Sequence, residues 1–280
     1  MERLERGGRC LRAALSGGRV RRRLPGLLLA IALLGSALKD SDLVPDTPLR
    51  NKRNPLNVYF VKVAWAWTLW LLLPFIALTT YQFARSNFLY GRTRSVLLVL
   101  RRLSALAVGT AVWYGCTELF VYIENLTGEC SIATKPGDTP RLYSTKRECH
   151  QDNGVWSGFD ISGHCFLLSY CALMILEEVA VLEGLSIDQN SALRVVVNVL
   201  FVSLCFLTMI WVFMFLCTAL YFHDFSQKLL GVLIGLSVAQ NQFDSDEENS
   251  QEGLWARSAT STDPEQAWSD SKVTFAESRV

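Results

Sequence analysis

An all-α, polytopic membrane helix bundle is the fold class this sequence predicts, with five clear spans and a short or truncated sixth. Three observations predict it. Half of the 280 residues are hydrophobic, and the mean hydropathy is positive, +0.23. The apolar residues are bunched into long runs rather than spread at helix or strand period. Charge is sorted along the chain: the formal net charge is only +1, yet the first 23 residues are Arg-rich and the last 40 are acidic. A neutral balance gives no ground for nucleic-acid binding, whereas a basic head is a topology signal.

A membrane helix needs about 20 mostly apolar residues to cross about 30 Å of hydrocarbon. The first segment, 22–38, opens on Arg22 and Arg23 behind Arg19 and Arg21 and is marginal in length. It has the length of a signal-peptide core, but further apolar segments follow, so it reads as a short first membrane helix. The second, 58–80, is "VYFVKVAWAWTLWLLLPFIALTT". The third, 103–122, is "LSALAVGTAVWYGCTELFVY". The fourth, 164–183, begins at His164, and the fifth, 195–222, is "VVVNVLFVSLCFLTMIWVFMFLCTALYF". The sixth, 229–239, "LLGVLIGLSVA", has about half the residues of a span. The chain then divides into a basic cytosolic N-terminus, 1–21, a transmembrane domain, 22–239, and an acidic, Ser-rich tail, 240–280, which reads as disordered because it has too little apolar surface to fold alone.

Positive charge marks the cytosolic side. Arg85, Arg92, Arg94, Arg101 and Arg102 follow the second span and agree with a cytosolic N-terminus; Lys52 and Arg53 dissent. The loop 123–163 is then lumenal. It carries the glycosylation sequon Asn125-Leu126-Thr127. It also carries Cys130 and Cys149, which can pair in an oxidising compartment. None of the eight cysteines forms a C-x-x-C pair, which argues against zinc-ribbon and thioredoxin chemistry.

Of the three histidines, His150 reads as a solvated loop residue. His164 begins the fourth span and His223 ends the fifth. Two crossings separate them, so both lie on one membrane face, whichever way the protein points. Metal binding by the pair needs further ligands. Glu177 and Glu178 are about 20 Å down the helix, which leaves Asp160 and Asp224. Phosphate chemistry suits the pair better: one imidazole attacks phosphorus and the other protonates the leaving oxygen. Ser162 is a good N-cap, Gly163 lets the backbone approach a ligand, and a helix start binds phosphate with its free amides. The plainer alternative is a pair of interfacial histidines that anchor helix ends.

Ser162-Gly163-His164 followed by a helix-end histidine resembles the lipid phosphate phosphatase superfamily, whose second motif is Pro-Ser-Gly-His. Ile161 replaces the Pro, Gln227 stands where the third motif has Asp, and that motif's Arg is absent. The stretches "NKRNPLNVYFVKVAWAWTLWLLLPFIALT", "GFDISGHCFLLSYCALMILEE" and "IWVFMFLCTALYFHDFSQKLLG" resemble the fat storage-inducing transmembrane protein family, its type 2 branch most, over residues 1 to about 236. The resemblance implies six spans in the endoplasmic reticulum membrane, both termini cytosolic and a lumenal active site. It implies a fatty acyl-CoA diphosphatase that yields acyl 4′-phosphopantetheine and adenosine 3′,5′-bisphosphate and supports lipid-droplet formation. Triacylglycerol and diacylglycerol are implied partners, and the alternative function is a non-catalytic triacylglycerol-binding protein that partitions neutral lipid. Catalysis carries over to His164 and His223, with His223 as nucleophile. No metal or other cofactor is implied. Lys62, one turn into the second span, is the candidate phosphate-binding cation beside Ser162 and Gly163; as a bland residue it would simply snorkel. Lys52, Arg53 and Lys228 are further candidates, and Asp160 or Asp224 could orient an imidazole. Phe166, Leu167 and Leu168 are the candidate lipid contacts.

Overall fold

The computed structural model describes residues 18–41, 43–51, 53–86, 92–131, 143, 145–180, 182 and 192–260. Four helical stretches among them are long and apolar enough to cross a membrane: Leu56–Ala84, Val96–Leu126, Gly163–Ala180 and Ala192–Tyr221. The helices are α1 (Gly18–Asp40), α2 (Ala64–Ser86), α3 (Arg92–Leu126), α4 (Lys146–Gln151), α5 (Gly163–Ala180), α6 (Ala192–Tyr221) and α7 (Phe225–Thr260). Two short strands, β1 (Glu129–Ser131) and β2 (Val155–Ser157), pair antiparallel. The chain divides into two units, 1–239 and 240–280.

In the first unit α5 is the hub. It packs against α1, α2, α3 and α6, and 78% of its apolar window is buried by protein. This corrects one expectation. Phe166, Leu167 and Leu168 do not face lipid; all three are buried in the bundle. Phe166 meets Phe120 edge-on and stacks on Tyr170. A helix apolar all round is the one a bundle encloses, and the outer helices carry the lipid-type surface: Trp70, Phe206 and Met209 are more than half exposed.

The apolar stretch of α1 is too short to count among the four, but the helix runs the length of the bundle. Its buried stripe repeats every fourth residue, Leu24, Leu28, Ala32 and Ser36, which is one helix face. Arg21 near its start pairs with Glu177 late in α5 (2.5 Å). Lys39 near its end donates to the carbonyl of His223 (2.5 Å). Those 18 steps rise about 27 Å. At the Arg21 end, Arg102 of α3 also pairs with the buried Glu178 (2.8 Å). Both carboxylates of α5 therefore have arginine partners, as buried charge requires.

The sixth segment differs most from expectation. The helix does not stop near Ala239; α7 continues to Thr260. Its apolar part remains short, but Gly231 and Gly235 let it lie flat on α5. A Cβ at Gly231 would stand 2.5 Å from the Ser162 carbonyl, and one at Gly235 would overlap the Ser169 hydroxyl. Small residues four apart permit this close approach in membranes. Beyond Ala239, Gln240 donates to Asp244 (2.8 Å), the i,i+4 pairing that supports a polar helix. The tail residues 261–280 and the basic residues 1–17 lie outside the described residues, as do Lys52 and positions 181 and 183 at the end of the fourth expected span.

The loop between α3 and α5 folds as a small cap. Cys130 lies opposite Trp156 in the strand pair and is disulfide-bonded to Cys149. Thr145 caps α4 by accepting from the Glu148 amide (3.3 Å), and Lys146 pairs with Glu124 at the end of α3 (2.6 Å).

Candidate active site

The ends of α1, α3 and α6, the beginning of α5 and the approach to α2 meet at one end of the bundle. The approach to α2 is irregular. A π-helical turn, Leu56–Phe60, runs into a 3₁₀ turn, Val61–Val63, before regular helix starts. Such turns re-aim side chains and recur at functional sites. Here they carry Asn57 and Lys62.

His164 is the second residue of α5. Its Nε2 donates to Asn57 Oδ1 (3.0 Å). A carbonyl oxygen only accepts, so Asn57 holds Nε2 as the N–H nitrogen. Ser162 caps this helix by accepting from the Cys165 amide (3.3 Å). It is fully buried, so it holds the helix start rather than facing a substrate. Gly163 does line the cavity beside His164.

His223 lies two residues past the end of α6, in the left-handed region at φ 52°. Left-handed backbone ends many helices, but a residue other than glycine pays for it sterically. The surrounding bonds hold it there. Lys39 grips its carbonyl. Lys228, fully buried, donates to the Ala219 carbonyl at the end of α6 (2.8 Å). Burial, and next the charge of Lys39, push the Lys228 ammonium below the ordinary lysine pKa; it lies just before the apolar stretch 229–239. The Gln227 side chain accepts from the Asp224 amide, and its carbonyl accepts from the Ser162 amide, both at 3.1 Å. Gln227 thus ties the His223 turn to the helix start that carries His164. The nearest carboxylate to the His223 ring is Asp160, with Oδ2 3.7 Å from Nδ1. That is ion-pair range, beyond a direct hydrogen bond.

His164, His223, Lys62, Gly163, Asn57 and Asp160 all line one cavity of about 380 Å³. A second cavity of similar volume, lined by Lys39, Lys146, Asp224 and Gln227, shares Phe222, His223, Asp160 and Glu124 with the first. The two histidines therefore line one cavity, and Lys62 lines it with them. Lys228 is committed to a helix end, and Asp224 contacts Lys39 (3.4 Å) rather than an imidazole. His150 bonds the Gly154 carbonyl within its own loop (3.2 Å). Among the described residues, no three His, Cys, Asp or Glu side chains gather as a metal site. The residues that sequence reasoning missed are Asn57, Glu124, Lys39 and Lys146. Asn57 had a signal, five positions before Lys62 on the same helical approach; the others become neighbours only through tertiary folding.

Comparison with known proteins agrees with this architecture. Residues 47–241 match the family model of the fat storage-inducing transmembrane proteins. The chain is 52% identical over 236 residues to acyl-coenzyme A diphosphatase FITM2 of Mus musculus and, equally, of Homo sapiens, covering 84% of this chain and 87% of each relative. It is 33% identical over 228 residues to fat storage-inducing transmembrane protein 1 of Homo sapiens, covering 80% of this chain and 73% of the relative. No solved structure matches it. With most of its length and both histidine turns inside the matched region, the chain belongs to the fat storage-inducing transmembrane protein family.

Proposed function

We propose that this protein is a fatty acyl-CoA diphosphatase of the endoplasmic reticulum membrane, with its active site on the lumenal face. The observation that carries this reading is the single cavity lined by His164, His223 and Lys62, in a chain half identical to curated acyl-coenzyme A diphosphatases. His223 is the nucleophile. Asp160 faces its Nδ1, and Nε2 attacks a phosphorus of the CoA pyrophosphate. The bridging P–O bond breaks, and the departing phosphate oxygen takes a proton from His164. Water then cleaves the phosphohistidine, giving a proton to His164 and regenerating both rings. The products are acyl 4′-phosphopantetheine and adenosine 3′,5′-bisphosphate. Lys62 neutralises developing charge on the phosphoryl oxygens, and Gly163 lets them approach the start of α5. Ser162 keeps that start in place.

Six crossings fit this scheme. The Arg21 end of α1 meets the Glu177 end of α5, and the Lys39 end meets the His223 turn, so α1 supplies a first crossing despite its short apolar stretch. The segment 229–239 supplies the sixth, flattened against α5. Residues 1–21 are then cytosolic, 22–239 form the membrane domain and 240–280 form a separate polar tail. The Cys130–Cys149 bond suits an oxidising lumen. Triacylglycerol and diacylglycerol are further proposed lipid partners, on the outer apolar surface.

The test is hydrolysis of oleoyl-CoA by the purified full chain. His164→Ala and His223→Ala are each expected to lower kcat by about two to four orders of magnitude, the range of acid–base and nucleophile removal. Unchanged turnover in both variants would instead favour a non-catalytic lipid-partitioning role.

A further inference from the structure

The two cavities that meet at His223 differ in character, and the difference orients the substrate. On the His164 side, α3 contributes Thr117, Phe120 and Val121 and α6 contributes Thr218. On the other side stand Lys39, Lys146, Ser157, Asp224 and Gln227. The apolar cavity also has an incomplete wall. α3 packs on α2 and α5, and α6 packs on α1, α2 and α5, but among the described residues α3 and α6 make no extended contact with each other. The apolar window of α3 is only 17% buried, the least of the four spans. Val121 lines the cavity and is 53% exposed. Leu119 and Tyr122 beside it, and Phe213 and Leu216 on α6, are exposed as well. The cavity therefore lies between two helices that barely touch and that carry exposed apolar residues.

At about 380 Å³ the cavity is at the small end for a drug-sized ligand. It suits a pantetheine-sized arm and cannot also enclose a long acyl chain. We propose that the acyl-pantetheine arm enters this cavity, with its acyl chain leaving through the slot between α3 and α6 into the bilayer. The nucleotide, the most polar part of the molecule, lies on the opposite side of His223. Val121 and Thr117 then set chain-length preference, because they stand where the chain passes from site to lipid. This assignment rests on the diphosphatase reading.

The test is a chain-length series on the full chain in bilayer nanodiscs, oleoyl-CoA against butanoyl-CoA. The unaltered protein is assayed first. Absence of hydrolysis there removes the diphosphatase reading itself, and this subsite with it. Given turnover, Val121→Trp fills the slot and is expected to lower kcat/KM for oleoyl-CoA about tenfold, mainly through KM, while butanoyl-CoA changes less than about twofold, since only the long chain uses that binding energy. Gly115→Ala, on α3 where an added Cβ meets nothing within 4 Å, is the control and is expected to keep turnover of both substrates. An equal loss on both substrates in Val121→Trp, or no loss on either, overturns the slot while leaving the diphosphatase reading intact.

Discussion

At the level of single residues, the site is arranged around one awkward side chain. His223 occupies a backbone conformation that disfavours everything but glycine, and Lys39, Lys228 and Gln227 hold it there. Strain of this kind persists only where the surroundings over-determine it. The ring itself is less constrained, with Asp160 at 3.7 Å. The carboxylate beside it belongs to the loop before α5, while Gln227 ties the two turns together. Asp160→Asn keeps the shape of this neighbour and removes its charge. It is expected to lower kcat about ten- to hundredfold with little change in KM, because the carboxylate orients the imidazole and balances its charge. Steady-state kinetics on oleoyl-CoA checks this; a change in KM alone would mean that Asp160 binds substrate instead.

Among the elements, α5 and α7 show how packing serves the chemistry. α7 begins with Gln227 and Lys228, the residues that support the His223 turn, and its Gly231 and Gly235 are seated on α5. The seat fixes the support. Gly235→Leu would drive a side chain into Ser169 and Phe166, and overpacking of this kind costs about 1–3 kcal/mol. The expected outcome is a lowered melting temperature in detergent and a loss of oleoyl-CoA turnover larger than the loss of folded protein. Gly115→Ala is the control. It adds the same kind of methyl-bearing carbon on α3 where nothing lies within 4 Å, and should be neutral or slightly stabilising. Equal melting temperatures for Gly235→Leu and the unaltered protein would show that α7 does not depend on this contact.

Across the whole molecule, the sequence revealed the large apolar runs and the facing of the histidines, because both follow from counting residues against a fixed bilayer thickness. The interval between His164 and His223 needed no tertiary information beyond two crossings. What stayed hidden depends on packing. Phe166, Leu167 and Leu168 look the same in a lipid-facing helix and in a buried one; only the bundle shows that α5 is enclosed. The partners of Glu177 and Glu178 are arginines far away in sequence, Arg21 and Arg102, and the continuation of α7 past Ala239 crosses a change of composition that reads as an end. These same partners make the topology testable. Every residue that lines the two cavities lies at the Lys39 end of α1, and the Arg21–Glu177 and Arg102–Glu178 pairs lie at the other end. If the arginines mark the cytosol, trypsin added to sealed microsomes should remove an N-terminal epitope. It should leave the cap between α3 and α5 intact, although Lys146 and Arg147 offer cleavage sites there. Detergent should then expose the cap, and fragments cut between Cys130 and Cys149 should separate only under reducing conditions, because the disulfide joins them. Cleavage of the cap in sealed vesicles with protection of the epitope would invert the bundle and place the histidine cavity in the cytosol. Acyl-CoA would then reach the site without having to enter the lumen.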